Sequence, residues 1–305
     1  MTGRVVVIGD ALIDELRDET DVREFVGGAA LNVAVGLSRL GVPTTLIAMV
    51  GDDEAGSHIR AYLSDYGVEL VATTSPLGSA RAVSTRNRYG EPEYVFNEAS
   101  RARRIRYGEA ERAAMAAAPF IAISCIALDD IEQTAELAEA LSTAGVRFAI
   151  DPNPRTGMMA DRDRFVAGFE GLVPAASLVK VGEEDAAVLY DTDLATVRER
   201  LIDLGAHAVL ATAGAAGATI EVGGEDVNAP VSALPGSIVD TMGAGDAAFA
   251  ATVAAMVEDT PAGSDAWSEV LHGAMDVAAA TCRFEGALLR QPSALKGIDM
   301  DLIGT

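Results

Sequence analysis

Short apolar runs alternate with amphipathic stretches along most of the chain. Val5–Ile8 is β-branched and stops at Gly9-Asp10, which predicts a buried first strand. Val33, Leu37 and Leu40 recur at helical spacing after Asn32, and Gly41 supplies the stop, so VAVGLSRLG is predicted as a helix. Thr44–Val50 is the second strand, followed by a turn and a helix ending at Gly67. From Val71 to Asn97 the pattern shifts to short strands, Val83–Arg88 and Glu93–Phe96, with a hairpin turn at Tyr89-Gly90-Glu91-Pro92. Residues 15–26 and 71–97 are therefore assigned to a small β flap, and 1–14, 27–70 and 98–305 to the main domain. After Gly108, strands at Phe120–Ile126, Arg147–Ile150, Leu178–Val181 and Ala208–Ala211 alternate with helices at Asp129–Thr143, Glu183–Tyr190 and Leu194–Leu204. This alternation predicts an α/β fold with a doubly wound, mostly parallel sheet. Ligands of such sheets bind beyond the carboxyl ends of the strands, where Asp10, Asp151, Lys180, Thr212 and Asp240 are predicted to lie.

One stretch departs from the plain alternation. Ser237–Val239 reads as a strand end, Thr241–Gly245 as a glycine-rich turn, and Asp246 as the opening of an alanine-rich helix. Glycines there leave backbone amides bare, at a helix N-terminus whose dipole favours an anion. A carboxylate among such amides repels a phosphate unless it has its own task, such as accepting a proton. The double glycine Gly27-Gly28 likewise permits close backbone approach before a helix, with Asn32 suited to ligand binding or capping.

Charge narrows the partners. Twenty-three basic residues face forty-six acidic ones, a formal net charge of −23. Such a surface repels nucleic acid and anionic membranes. Only Lys180 and Lys296 are lysines. The composition resembles that of haloarchaeal proteins, adapted to molar salt where the Debye length shrinks to about 3 Å. No apolar run reaches the length of a membrane span and no secretory h-region opens the chain, so a cytoplasmic location is expected. Cys125 and Cys282 form no CxxC and read as structural thiols.

Competing chemistries are set aside on pattern. Residues 243–248 fit a degenerate dinucleotide fingerprint, but a second helix follows where a strand and an acidic residue are needed. No GxxxxGK[ST] P-loop is present, and His58, His207 and His272 are isolated, which argues against zinc and serine-triad chemistry. The cluster Arg101, Arg103, Arg104 and Arg106 reads as a solvated face or as hinge ion pairs.

DTMGAGDAAF at 240–249 and GGAALNVAVGLSRLG at 27–41 resemble the two signatures of the ribokinase (PfkB) family of carbohydrate kinases. DPNPR at 151–155, KVGEED at 180–185 and TAGAAGA at 212–218 resemble its intervening blocks, in family order. DPNPR and the opening GDALID are most similar to the branch of fructokinases and 2-keto-3-deoxygluconate kinases. The resemblance implies ATP-dependent phosphorylation of a sugar hydroxyl. Asp246 is then the general base, and the amides of Gly243, Ala244, Gly245 and Asp246 form an anion hole. Asp14, Gly28 and Asn32 would bind sugar hydroxyls, and Arg155 phosphates or an anionic substrate. Lys180, Thr212, Gly214, Gly217, Gly243 and Gly245 would meet ATP. Mg²⁺ accompanies the nucleotide, with Asp185 as a water-mediated contact, since the family's Asn-x-x-Glu is Gly182 and Asp185 here. Asp276 replaces the asparagine near the adenine. A K⁺ ion near the anion hole, a closing lid and a homodimer through that lid complete the expectation. Ribose or nucleoside kinases of the same family, and an idle sugar-binding relative, are the alternatives.

Overall fold

The computed structural model describes residues 3–17, 22–86 and 92–295. The strands are β1 (Val5–Gly9), β2 (Leu12–Arg17), β3 (Val22–Gly27), β4 (Thr44–Gly51), β5 (Glu69–Ser75), β6 (Ala80–Arg86) and β7 (Pro92–Phe96). They continue with β8 (Ile121–Ser124), β9 (Phe148–Asp151), β10 (Leu178–Gly182), β11 (Ala208–Thr212), β12 (Ala218–Val222) and β13 (Glu225–Ala229). The helices are α1 (Ala29–Arg39), α2 (Glu54–Asp65), α3 (Glu98–Arg101), α4 (Glu109–Ala117) and α5 (Ile131–Ala144). After them come α6 (Arg162–Leu172), α7 (Glu183–Tyr190), α8 (Leu194–Asp203), α9 (Ala244–Glu258) and α10 (Gly263–Thr281).

All five residues of β1 are buried because the strand is covered on both faces. Side chains alternate across a strand, so Val5 and Val7 join the core under α1, α2, α9 and α10. Val6 and Ile8 join the opposite core, under α4 to α8. The large sheet has the order β13-β12-β11-β10-β9-β8-β1-β4-β5. From β1 the chain moves outward to β4 and β5, then returns to β8 on the other side and continues to β11, all in parallel. The order therefore reverses beside β1, and the carboxyl ends of β1 and β8 flank a crevice. The expected doubly wound α/β architecture is present.

A second sheet, β3-β2-β6-β7, stands over that crevice because β2 and β3 are inserted between β1 and α1. The sequence pattern places residues 71–97 in the flap, but Val71–Ser75 belong to β5, the parallel edge of the large sheet. An edge strand is only half covered, so its polar–apolar alternation mimics that of a flap strand. Most of the predicted turn at Tyr89-Gly90-Glu91-Pro92 falls on residues 87–91, outside the described residues.

Two further differences lie near the C-terminal half. β12 and β13 extend the sheet as an antiparallel hairpin whose two-residue turn holds Gly223 and Gly224 at φ 61° and 81°. Ser237–Val239 form no strand; instead the amides of Val239 and Asp240 donate to the Cys282 carbonyl at the end of α10. No described helix is long and apolar enough to cross a membrane.

Candidate active site

The turn before α9 is shaped by glycine. Gly243 is the N-cap at φ 74°, and a Cβ there would sit 2.7 Å from the Ala287 backbone. Asp240 holds the turn, accepting from the Met242 and Gly286 amides at 2.9 Å each. Ala244 N–H turns back to the Thr241 carbonyl, and Ala247 is the first residue to close the helix, onto Gly243. The amides of Gly245 and Asp246 have no intrahelical acceptor, as expected of a first turn, and no capping side chain serves them. Asp246 is thus the third residue of α9 rather than its opening one.

Asp246 is buried and engaged on both carboxylate oxygens. Asn32 Nδ2 donates to Oδ2 at 2.9 Å, and Asn153 Nδ2 reaches Oδ1 at 3.4 Å. Burial raises the pKa of its carboxyl above the ordinary value, against the Asn32 amide and the Lys180 and Arg155 cations. Lys180 lies below this turn, its Nζ 3.5 Å from where a Gly245 Cβ would be. Its ammonium is 3.0 Å from Asp151 Oδ2 and 3.7 Å from Asp185 Oδ2. Burial alone would lower the Lys180 pKa, but the carboxylates of Asp151, Asp185 and Asp246 outweigh it and keep the cation charged. Burial is also what lifts Asp151, opposed chiefly by Lys180.

A cleft of about 660 Å³ opens above this floor, between α9, the start of α1 and the small sheet. Asp246, Gly243, Asn32, Gly28, Asp14 and Arg155 all line it, so six predicted site residues converge on one space. Gly28, at φ 112°, packs against the Asp10 backbone too closely for any Cβ. Asp10 turns one oxygen onto the Ala30 amide at 3.0 Å. Desolvation, with the neighbouring Asp10 charge adding to it, pushes Asp14 up to about 6, while Arg155 pulls it down. Arg155 is 3.9 Å from Glu184 and faces Asp10 and Asp246 as well.

Other predicted residues stand elsewhere. Lys180 is 6% exposed and does not line the cleft. Asp185 is committed to the Gly182 amide at 2.6 Å, as a helix cap, besides its pairing with Lys180. Thr212 ends β11 beside Gly182, and Gly214 opens the short turn after it, near Glu183. Gly217 has a packing reason of its own, since a Cβ there would strike the Ala229 carbonyl at 2.2 Å. Asp276 is half-buried on α10. Among the arginines, Arg104 pairs with Glu132 and Glu136, and buried Arg103 donates to the Ser100 and Met158 carbonyls. Among the described residues, no group of three or more His, Cys, Asp or Glu comes together in a way that could hold a metal ion. Asn153 was not singled out from the sequence; its place inside DPNPR and its neighbour Asp151 at a strand end were the available signals.

Residues 3–293 match the model of the pfkB family carbohydrate kinases. The chain belongs to the pfkB family. It is a carbohydrate kinase of that family, and its curated relatives include a fructokinase from Klebsiella pneumoniae, 30% identical over 84% of this chain and 85% of that protein. Among solved pfkB-like structures, aminoimidazole riboside kinase from Salmonella enterica, complexed with aminoimidazole riboside and an ATP analog, gives a TM-score of 0.79. It is 25% identical and covers 96% of this chain and 98% of its own. Fructokinase from Xylella fastidiosa with bound ATP gives 0.80 at 22% identity, covering 94% of each chain, which speaks for the fold.

Proposed function

We propose that this pfkB kinase transfers the γ-phosphoryl group of ATP to a hydroxyl of a neutral sugar, with fructose the first candidate. The observation that carries the reading is Asp246, a buried carboxylate on the cleft wall at the open first turn of α9. A sugar hydroxyl bound there gives its proton to Asp246 as its oxygen forms a bond to the γ-phosphorus. The bond from that phosphorus to the β–γ bridging oxygen breaks, and ADP carries away the electron pair. The amides of Gly245 and Asp246, with the helix dipole, stabilise the charge on the group in flight, while Gly243 and Ala244, whose N–H is held by the Thr241 carbonyl, shape the turn that presents them.

Five carboxylates line the cleft (Asp10, Asp14, Glu184, Asp240 and Asp246), and among the described residues Arg155 is the one basic side chain with them. That balance favours a polyhydroxylated neutral sugar over a keto-deoxy sugar acid. Asp14, Asn32 and the Gly28 backbone are assigned to sugar hydroxyls, and sites built from such groups reject analogues lacking them. Arg155 is assigned to the transferring phosphate. Thr212, Gly214 and Gly217 are assigned to the nucleotide, and Lys180 acts on its phosphates from beneath Gly245 rather than by contact. Magnesium suits hard oxygen donors, keeps most of its waters, and binds through phosphates plus one or two carboxylates. Glu184 on the cleft wall fits that role better than Asp185, whose oxygen is already engaged; there Mg²⁺ would neutralise phosphate charge. The small sheet is read as a lid that excludes water. Its exposed Val22 and Val95 fit a homodimer through that sheet.

The test is ADP release with fructose, ribose, aminoimidazole riboside and 2-keto-3-deoxygluconate, each with Mg-ATP at high KCl, which also serves a K⁺ requirement. Fructose is expected to give the highest kcat/KM. A preference for the riboside would replace this reading by the second one, which the 25% likeness to aminoimidazole riboside kinase supports. Asp246→Asn is expected to fold and to lose about 10²–10⁴-fold in kcat.

A further inference from the structure

We infer that Asn153 is a positioning residue for the base: with Asn32 it fixes the carboxylate plane of Asp246, leaving a lone pair aimed at the sugar hydroxyl. The inference rests on the reading of Asp246 as the base. A carboxylate turns easily about its last bond, because that torsion is broad rather than staggered. One donor fixes one oxygen and leaves the plane free to swing. Here the two oxygens are met from two elements, Oδ2 by Asn32 of α1 and Oδ1 by Asn153 of the loop after β9.

The presentation of Asn153 supports a purpose beyond packing. It is held at φ 38°, in the left-handed region that side chains avoid and that asparagine tolerates best. Prolines flank it at 152 and 154, fixing their own φ and restricting the residue between them. Pro152, Asn153 and Pro154 are all buried. The loop therefore delivers a stiff amide to one carboxylate oxygen at the floor of the cleft. Its donation favours the ionised form that accepts a proton. The charged groups around Asp246 are Lys180 from β10, Arg155 from the same loop as Asn153, Asp185 from α7, Asp10 beyond β1 and Asp151 at the end of β9.

The test compares pH profiles of kcat for the wild type, Asn153→Gly, Asn153→Asp and Asp246→Asn, with fructose and Mg-ATP. Asn153→Gly keeps the backbone conformation and removes the amide. Its kcat should fall about 10-fold and the acid limb should move up by about one pH unit, with sugar KM changed less than about twofold. Asn153→Asp keeps the volume but sets a second carboxylate against the first, and should move the limb further in the same direction. If Asp246→Asn is inactive while both Asn153 variants keep the wild-type limb, the positioning role is wrong and the base assignment stands. Ready turnover by Asp246→Asn would overturn the base assignment and this inference together.

Discussion

Helices α1 and α9 begin alike and meet the cleft together, yet their first turns are finished differently. Each starts from a glycine at positive φ, Gly28 at 112° and Gly243 at 74°, and neither glycine offers a capping side chain. In α1 the bare amides are taken up from within: Ala30 N–H goes to Asp10 Oδ1 and Leu31 N–H to the Asp10 carbonyl. In α9 the amides of Gly245 and Asp246 find no such acceptor among the described residues, at a turn whose Gly243 and Asp246 line the cleft. A helix N-terminus attracts negative charge in either case. What separates a structural terminus from a ligand-ready one is whether the chain supplies the anion itself.

The largest expected effect comes from closing the open turn. Gly243→Ala adds a Cβ 2.7 Å from the Ala287 backbone and strains a left-handed residue, so the turn must shift. A displacement of that size is expected to cost about 100-fold in kcat/KM, measured with fructose. An equal rate would show that the α9 turn is no more demanding than any loop.

Opening the sealed turn should be milder. Asp10→Ala leaves the Ala30 amide without its partner and should lower unfolding stability by about 1–2 kcal/mol. Asp10→Asn keeps an oxygen in place and removes a buried charge whose pKa burial has raised, so it should match or exceed the wild type in urea melts. Should the two variants be equally unstable, the hydrogen bond is not what seals α1.

A pH-dependent effect concerns Asp14, the second carboxylate beside the α1 turn. Its folded pKa of about 6 exceeds the ordinary value of 3.8, so between those limits the folded state holds a proton the unfolded state has released. Stability from this group is therefore present at low pH and declines as pH rises through about 4 to 6, costing up to about 3 kcal/mol at neutral pH. Asp14→Asn should flatten that decline and raise the melting temperature while raising sugar KM. A steeper decline in the variant would reverse the sign argued here.

The parallel sheet and the helices over it were legible in sequence because strands buried on both faces appear as unbroken apolar runs, as in β1 and β4. Glycine signals located the two turns for the same elementary reason. What stayed hidden depends on proximity across the fold. Nothing local marks Asp10 as the acceptor for Ala30, twenty residues on, or Asn153 as a neighbour of Asp246 across 93. The surroundings of Lys180 were hidden for the same reason. A lysine at a strand end invites a phosphate, but it is mid-strand in β10, and two nearby carboxylates hold its ammonium inside.

That same lysine has a practical side. The sequence contains two lysines, so Lys180 is nearly alone in its amine chemistry as well as in its position. Its ammonium is shut beneath the first turn of α9 and held charged, which makes it a poor nucleophile while the floor is closed. Acylation at Lys180, read by mass spectrometry, therefore keeps time for the opening of the site's foundation, a clock the chain carries without any added label.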